Sequence, residues 1–546
     1  MKNCLQCNTG FEITAADRQF YSKISVPEPT FCPDCRQQRR LAWRNERTLY
    51  RKNCDLCQKS IISIYSPDKS FKVYCQSCWW SDKWDTLDYG RDFDFSRPFF
   101  QQFRELQSVV PRMALINSKS ENSEYTNHSA SNRNCYMGCD IGDSEDVYYS
   151  NWIINSKNVI DSTKTIKSEI CYECLDSYSL YNCFYCQECE NCSDGFLLFD
   201  CKDCRNCIAC TGLRNKENYL FNKPADAQEI IKFRESLSGF SVFKNCKKEF
   251  EELRLKQPRV YMRKVMSENV TGEFVERCKD VHDSYLVFDS RDCRFATESA
   301  EINDCYDTHS HWKGERTYEI DGACFSNNVI GSNVTQYSND ILYCDNSFNS
   351  NSCFGCVSLN HNKYLILNKQ YSREDYEKTV PKIIEYMKST GEWGEFFPIT
   401  LSPFCYNETI ANQYFPLSKS KALAKGLKWK DETEEKLYVE KIIPASKLPD
   451  KTSDIPDDIL NWAIECEITK RPFRIIPQEL KFYRQHDLSI PRLHFDQRYS
   501  NRVGLRNPRK LWDRKCVNCG TDIRTTYSPD RPEKVYCETC YLKTVY

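Results

Sequence analysis

Cysteines in CxxC pairs are the feature that most constrains how this chain can fold. Two such pairs joined by a short spacer supply the four thiolates of a closed tetrahedral zinc site. The N-terminal pairs are Cys4, Cys7, Cys32, Cys35, Cys54, Cys57, Cys75 and Cys78. The C-terminal pairs are Cys516, Cys519, Cys537 and Cys540. The sequence therefore predicts about three structural zinc ions, none with an open position for catalysis.

The 34 cysteines also indicate the setting of the protein. The first ten residues lack the apolar core of a signal peptide, and no apolar run approaches the length of about 18 residues expected of a membrane span. We therefore expect metal ligands or buried thiols in a reduced, cytoplasmic protein that does not enter a membrane. The formal net charge of -1 gives no overall attraction to nucleic acid, so charge has to be examined locally.

A basic stretch follows the second cysteine pair at the N-terminus, and a matching stretch precedes the cysteine pairs at the C-terminus. In both stretches the arginines recur at the spacing of one helix face. The N-terminal arginines are Arg36, Arg40, Arg44, Arg47 and Arg51, and the C-terminal ones are Arg498, Arg502, Arg506 and Arg509. We expect these helices to contact phosphates, with RNA or the ribosome favoured over DNA because helix-turn-helix and finger motifs are lacking. Two alternatives stay open: a solvated helix, or arginines paired with acidic residues elsewhere in the chain.

Residues 4–36 resemble a probable zinc-ribbon family of bacterial proteins. The matching motifs are CxxC at Cys4, F-x-[IF]-T from Phe11, Q-F-Y from Gln19 and CxxC-R from Cys32. The resemblance implies zinc binding. The wider chain is similar to cysteine-rich, multi-ribbon proteins of uncultured bacteria.

The C-terminal head is a partly degenerate copy of the N-terminal head at a constant offset of 462. The four ligands of the first site become Cys466, Thr469, His494 and Gln497. Two ligands are lost, so we expect no tight zinc binding there. The arginines persist, which suggests a role for them beyond support of the metal site.

Between the heads, one unit of about 120 residues occurs twice. Residues 103–112 match 250–259 at an offset of 147, and 207–223 match 353–369 at an offset of 146. Small residues inside each unit recur with a period of about 18 residues, for example Cys135, Ile153, Cys171, Cys189 and Cys207. This pattern predicts a parallel β-solenoid of undetermined hand with one coil per period. The solenoid cysteines are interpreted as small buried residues. The cysteine-rich run from Cys183 to Cys207 lacks the spacing of a ferredoxin iron–sulfur site.

The predicted fold is therefore mainly β, with tandem zinc ribbons at both ends of a duplicated solenoid that capping helices cover. The predicted divisions are an N-terminal head at 1–85, solenoid modules at 86–224 and 225–370, a helical linker at 371–460 and a C-terminal head at 461–546.

Three functions compete. The first is a zinc-binding protein that binds nucleic acid through its arginine-faced helices. The second is a protein-interaction scaffold built on the solenoid. The third is an enzyme on the solenoid, for which Asp304, Asp307 and His309 are candidate groups but no recognised catalytic motif is present.

Overall fold

The structure, a computed structural model, describes residues 1–304, 306–315, 317–431 and 439–546. It is mainly β, as predicted, with 32% of residues in strands and 25% in helices. Parallel strands form two long regions, which we call the first parallel-sheet region (residues 117–224) and the second (residues 264–370).

A three-residue pattern builds both regions. From His128 to Asn218, every third residue has a positive φ and turns the chain. Asparagine and aspartate are frequent at these positions, because they adopt the left-handed conformation more readily than other residues with a Cβ. Four such triplets bring the chain back beside itself, so that Cys139 pairs with Asn151 and Asn151 pairs with Thr163.

The predicted 18-residue period is wrong. In the first region paired residues differ by 12, as in Thr163 with Leu175 and Arg205 with Glu217. Inward-facing residues recur every third position, and the core cluster consists of such positions, including Ile141, Val147 and Ile153. Because 18 and 12 are both multiples of three, small inward residues also fall in phase at 18.

The strands of each region are short. The first region contains Asn117–Ser118, Thr126–Asn127, Ser129–Ala130, Gly138–Gly142, Glu145–Tyr148, Asn151–Ile154, Lys157–Ile160, Thr163–Ile166, Glu169–Tyr172, Leu175–Tyr178, Tyr181–Phe184, Phe196–Phe199, Arg205–Thr211, Glu217–Leu220 and Lys223–Pro224. The second contains Lys264–Val265, Glu268–Glu276, Lys279–Phe288, Arg291–Arg294, Thr297–Asn303, His309–Glu315, Asp321–Cys324, Asn327–Ile330, Asn333–Gln336, Asn339–Leu342, Asp345–Phe348, Asn351–Phe354, Val357–Asn360, Lys363–Ile366 and Lys369–Gln370.

Shorter strands and the helices make up the heads and connections. The remaining strands are Lys2–Asn3, Gly10–Phe11, Tyr50–Asn53, Ser60–Ser63, Val73–Tyr74, Arg112–Met113, Arg259–Val260, Lys441–Pro444, Trp462–Glu465, Pro472–Phe473, Trp512–Lys515, Asp522–Thr525 and Val535–Tyr536. The α-helices α1 to α12 are Ala15–Lys23, Pro33–Leu41, Gln76–Trp79, Phe99–Gln107, Ala227–Ser236, Phe240–Lys256, Arg373–Thr390, Ile410–Tyr414, Lys419–Ala424, Pro477–Gln485, Phe495–Val503 and Glu538–Val545. Helix α6 packs on strand Arg205–Thr211 and α7 on Lys363–Ile366.

The first half of each head, residues 1–41 and 466–503, packs on the parallel-sheet region farther from it in sequence. In the N-terminal head, Phe20 stacks on Tyr306 of the second region with ring centroids 3.9 Å apart. In the C-terminal head, the ring centroid of Tyr483 lies 5.4 Å from that of Tyr172 in the first region. This crossed packing places the arginine-rich segment of each head directly over a parallel sheet.

Candidate metal centres and buried arginine clusters

Three four-cysteine groups bring their sulfur atoms within 4.8 Å of one another. They belong to three of the ribbon segments, namely the first ribbon (residues 4–35), the second (54–78) and the fourth (516–540). The Sγ–Sγ distances are 3.7 Å for Cys7–Cys32, 3.9 Å for Cys57–Cys75 and 3.7 Å for Cys519–Cys537. A tetrahedron of metal–sulfur bonds of about 2.3 Å has edges of about 3.8 Å. Each group can therefore hold a tetrahedral metal ion, and its thiolate chemistry fits zinc.

Local backbone geometry positions the first cysteine pair of each ribbon. The residue just after the pair, such as Asn8 or Gln58, has a positive φ. Its N–H donates to the carbonyl of the first cysteine, over 2.9 Å from Asn8 to Cys4 and 2.9 Å from Gln58 to Cys54. This tight turn brings both thiols of the pair to the same side.

The second pair opens a helix in every ribbon. Cys32 caps the N-terminus of α2, and Cys537 caps that of α12. The positive end of a helix favours the thiolate form that binds metal. The hydrogen bond from the Cys35 thiol lowers the pKa of Cys32 to about 5.

The third ribbon (residues 466–497) keeps this frame without the full ligand set. Lys470 has a positive φ and donates to the Cys466 carbonyl over 3.1 Å. His494 caps α11, and its Nδ1 accepts from the Asp496 N–H at 3.2 Å. Burial lowers the pKa of His494 to about 4, so the ring is neutral at physiological pH. Thr469 and Gln497 stand where the other two thiols would be.

The arginines of α2 point into the molecule. Arg36 donates through Nε to Asp307 over 2.7 Å, and Arg39 makes a two-pronged contact with Glu319 at 2.6 and 2.8 Å. Arg40 lies 3.5 Å from Asp307. Both carboxylates are fully buried, and the Arg36 side chain is 1% exposed. Burial opposes the charge on Arg36, but Asp307 outweighs it and holds the pKa of the guanidinium well above its usual value.

The C-terminal head repeats this arrangement on the first parallel-sheet region. Arg498 and Arg502 both pair with Asp161, and Arg502 also lies 3.3 Å from Glu173. One repeat of the sheet separates these two carboxylates, as it separates Asp307 from Glu319, and the 146-residue duplication relates the two pairs. In both heads, arginines one helical turn apart therefore face carboxylates one sheet repeat apart. We call these two sets the buried arginine clusters; they are Arg36, Arg39 and Arg40 with Asp307 and Glu319, and Arg498 and Arg502 with Asp161 and Glu173.

The remaining predicted arginines are mostly paired within the chain as well. Arg44 contacts Glu46 at 2.6 Å and Asp140 at 2.7 Å, and Arg47 contacts Asp496 at 3.2 Å. Arg506 contacts Asp176 at 2.7 Å, and Arg509 pairs with Glu298. Arg51 is exposed and donates to the hydroxyl of Tyr125.

The prediction of one long arginine-faced helix in each head is wrong. Helix α2 ends at Leu41, so Arg44 and Arg47 follow it and Arg51 lies on strand Tyr50–Asn53. Helix α11 ends at Val503, ahead of Arg506 and Arg509. After α2 the Trp43 side chain turns inward, 1% exposed, and stacks on Phe397.

Sequence reasoning also missed Arg39 and the carboxylates Asp161, Glu173 and Glu319. The signal that identifies these carboxylates is their spacing of one sheet repeat combined with the 146-residue duplication. The sequence presents Asp307 as a candidate catalytic group, whereas the structure pairs it with Arg36. In the sequence Cys305, His309 and His311 form a possible ligand set, with a chance cluster on a turn as the favoured interpretation. Cys305 lies outside the described residues, as do the side chains of both histidines.

One further set of candidate ligands occurs in the described residues. Glu46, Cys139 and Asp140 offer ligand atoms within 4.8 Å of one another. The Arg44 guanidinium binds both carboxylates, and Asn151 donates to Glu46 over 2.9 Å. The Arg44 guanidinium therefore already bridges the two carboxylates of this set.

No protein-family model and no curated protein sequence matches the chain. Among the described helices, none combines the length and apolarity needed to cross a lipid bilayer.

Proposed function

We propose that this protein is a zinc-stapled interaction scaffold, in which two metal-binding heads are fixed onto a rigid β-solenoid that presents its outer face to a protein partner. The observation that carries this proposal is the internal pairing of the arginines. Eight of the nine predicted phosphate-binding arginines form ion pairs with carboxylates of the same chain.

The constant strand register supports the solenoid. Parallel pairing continues at the same offset from Asn117 to Glu217, and each repeat contributes four inward positions to one core. Serine hydroxyls link neighbouring repeats, as when the Ser156 N–H donates to Ser144 Oγ at 3.1 Å. A stack of this kind is stiff along its axis, because each repeat bonds to the next.

Zinc is the metal that best fits the three four-cysteine groups. Their thiolate ligands and sulfur spacing match a closed structural site, in keeping with the resemblance of residues 4–36 to zinc ribbons. Thiolate ligands require reduced cysteines, so the proposal places the protein in a reduced, cytoplasmic setting. In this proposal zinc in the first ribbon holds α2 in the position that presents Arg36 and Arg40 to the sheet.

Binding to nucleic acid stays a prediction, and the arginine positions give it little support. A guanidinium that already has a buried carboxylate partner releases no counterions from a phosphate backbone, and that release drives most non-specific binding. Of the nine arginines, Arg51 is the exposed one.

The outer face of the first parallel-sheet region is the surface we assign to a partner. Acidic and basic side chains alternate on it at successive repeats of the sheet, in the order Glu121, Arg133, Glu145, Lys157 and Glu169. They line an open groove of about 740 Å³ along the stack. Alternating charge at a fixed spacing favours a protein surface of complementary pattern over a uniform polyanion.

Two experiments distinguish a protein-binding scaffold from a nucleic-acid-binding protein. The zinc-loaded protein, treated with nuclease, is used to capture partners from its source cells, and crosslinks are mapped by mass spectrometry. We expect one dominant protein crosslinked at Lys157 and Lys167, and its loss in a variant with Glu145→Lys and Glu169→Lys. A control variant with Glu374→Lys on the exposed face of α7 should retain the partner.

In parallel, filter binding to RNA is measured over a salt titration. Absent or salt-independent binding is the expected result. Binding that falls steeply with salt, and that Arg51→Glu weakens, would show that nucleic acid is the ligand and that the scaffold proposal is wrong.

A further inference from the structure

A column of ten cysteine thiols runs through the first parallel-sheet region, apart from the three four-cysteine groups. Each is at most 2% exposed. They are Cys171, Cys174, Cys183, Cys186, Cys189, Cys192, Cys201, Cys204, Cys207 and Cys210. All occupy inward positions of the three-residue pattern, so the sulfurs lie in the core of this region rather than in solvent.

The duplicated second region provides an internal comparison that shows what the fold itself requires. At an offset of 146, the first eight of these positions hold Thr317, Ile320, Val329, Ser332, Thr335, Ser338, Ser347 and Ser350. These residues are also buried, each at most 1% exposed. The same core position therefore accepts hydroxyl and aliphatic side chains, and packing alone does not account for sulfur.

Hydrogen bonding does not account for sulfur either. Cys186 Sγ donates to the Phe184 carbonyl over 3.5 Å, and at the matching position Ser332 Oγ donates to the Ile330 carbonyl over 3.1 Å. Serine makes the same bond at a shorter distance. The thiols thus add something that serine, threonine and valine lack, namely affinity for soft metal ions.

The register of the parallel strands determines how many thiolates can bind one metal ion. Cys171 pairs directly with Cys183 on adjacent parallel strands, and Cys189 and Cys201 likewise differ by one repeat of the sheet. Adjacent strands lie about 4.8 Å apart. Two metal–sulfur bonds of about 2.3 Å placed end to end span about 4.6 Å. In the described residues, the sets of three or more candidate ligands within 4.8 Å of one another do not include this column. Its geometry favours two-thiolate ligation over a tetrahedron.

We propose that this thiol column binds soft monovalent metal ions, of the Cu(I) or Ag(I) class, each held between two thiolates of neighbouring positions. Binding replaces two S–H protons per ion, and the protons leave to solvent. No electron is transferred when the ion enters as Cu(I). Because the thiols are buried, uptake requires the strands to part transiently and is slow compared with mixing.

The test is an anaerobic titration of the zinc-loaded protein with Cu(I) supplied as its acetonitrile complex, followed by native mass spectrometry. Ten thiols taken two at a time predict about five bound ions in this column, and Cys344, Cys353 and Cys356 of the second region can hold about one more, with all zinc retained. The matched control exchanges eight cysteines for their second-region counterparts. The changes are Cys171→Thr, Cys174→Ile, Cys183→Val, Cys186→Ser, Cys189→Thr, Cys192→Ser, Cys201→Ser and Cys204→Ser. This variant should bind about two ions, one between Cys207 and Cys210 and one among Cys344, Cys353 and Cys356.

Equal Cu(I) counts in the two proteins, or loss of one zinc for each Cu(I) gained, would overturn the proposal. If the variant does not fold, the wild type alone decides. Cu(I)-loaded protein is unfolded in the presence of an alkylating reagent, and its peptides are mapped. Protection of residues 171–210 supports the thiol column as the site, whereas protection confined to the three four-cysteine groups refutes it.

Discussion

The buried arginine clusters make a quantitative prediction about Asp307. Its carboxylate is fully buried and lies 2.7 Å from Arg36 and 3.5 Å from Arg40. Changing Asp307→Asn leaves these two guanidinium groups with Glu319 as their buried counter-charge. Removing one member of a buried ion pair typically costs about 3 to 5 kcal/mol, because a charge remains out of water without compensation.

Native-state hydrogen exchange suits this test, because a chain of this size need not unfold in a single step. We expect the amides of α2 in Asp307→Asn to exchange at least about 100 times faster, which corresponds to about 3 kcal/mol. A control is Glu377→Gln, which breaks a surface pair with Arg373 whose side chains are 71% and 56% exposed, and which should cost under about 1 kcal/mol. An equal effect of the two changes would refute the reasoning that burial makes the clusters strong.

Three more predictions concern the ribbons. Changing Thr469→Cys together with Gln497→Cys completes a Cys3His set in the third ribbon and should add one zinc per chain by elemental analysis; Thr469→Ser with Gln497→Ser should add none. Cys519→Ser should remove one zinc and leave the others, and loss of all three would contradict independent sites. Burial raises the pKa of Glu479 to about 7, so its stabilising contribution is present below the ordinary value of 4.5 and is lost as pH rises through 7. Glu479→Gln should therefore gain up to about 3 kcal/mol relative to wild type between pH 4.5 and 8 in denaturant unfolding, and a pH-independent difference would contradict this.

The metal groups could be predicted from the sequence because their determinants are local. The positive-φ residue after the first pair closes a tight turn, and the second pair starts a helix, so four sulfurs converge with little help from the rest of the chain. The parallel sheets could also be predicted, since small residues that recur at a fixed spacing indicate a core of stacked repeats.

The repeat length could not be predicted with the same success. A three-residue inward pattern is compatible with any multiple of three, and only the strand register distinguishes 12 from 18. The pairing of side chains from distant parts of the chain could not be predicted from the sequence either. Arg36 and Asp307 are 271 residues apart, and an arginine at helix spacing looks the same in sequence whether it faces solvent or a buried carboxylate.

The orientation of the arginines is the central claim, and their chemical accessibility tests it most directly. The zinc-loaded protein is treated with phenylglyoxal, and modification of each arginine is followed by peptide mass spectrometry. Arg51 should react quickly, whereas Arg36 and Arg40 should remain unmodified until zinc is chelated. Arg498 and Arg502, whose ribbon lacks the full ligand set, should remain unmodified with or without zinc. Modification of those four at the rate of Arg51 in the zinc-loaded protein would contradict the account.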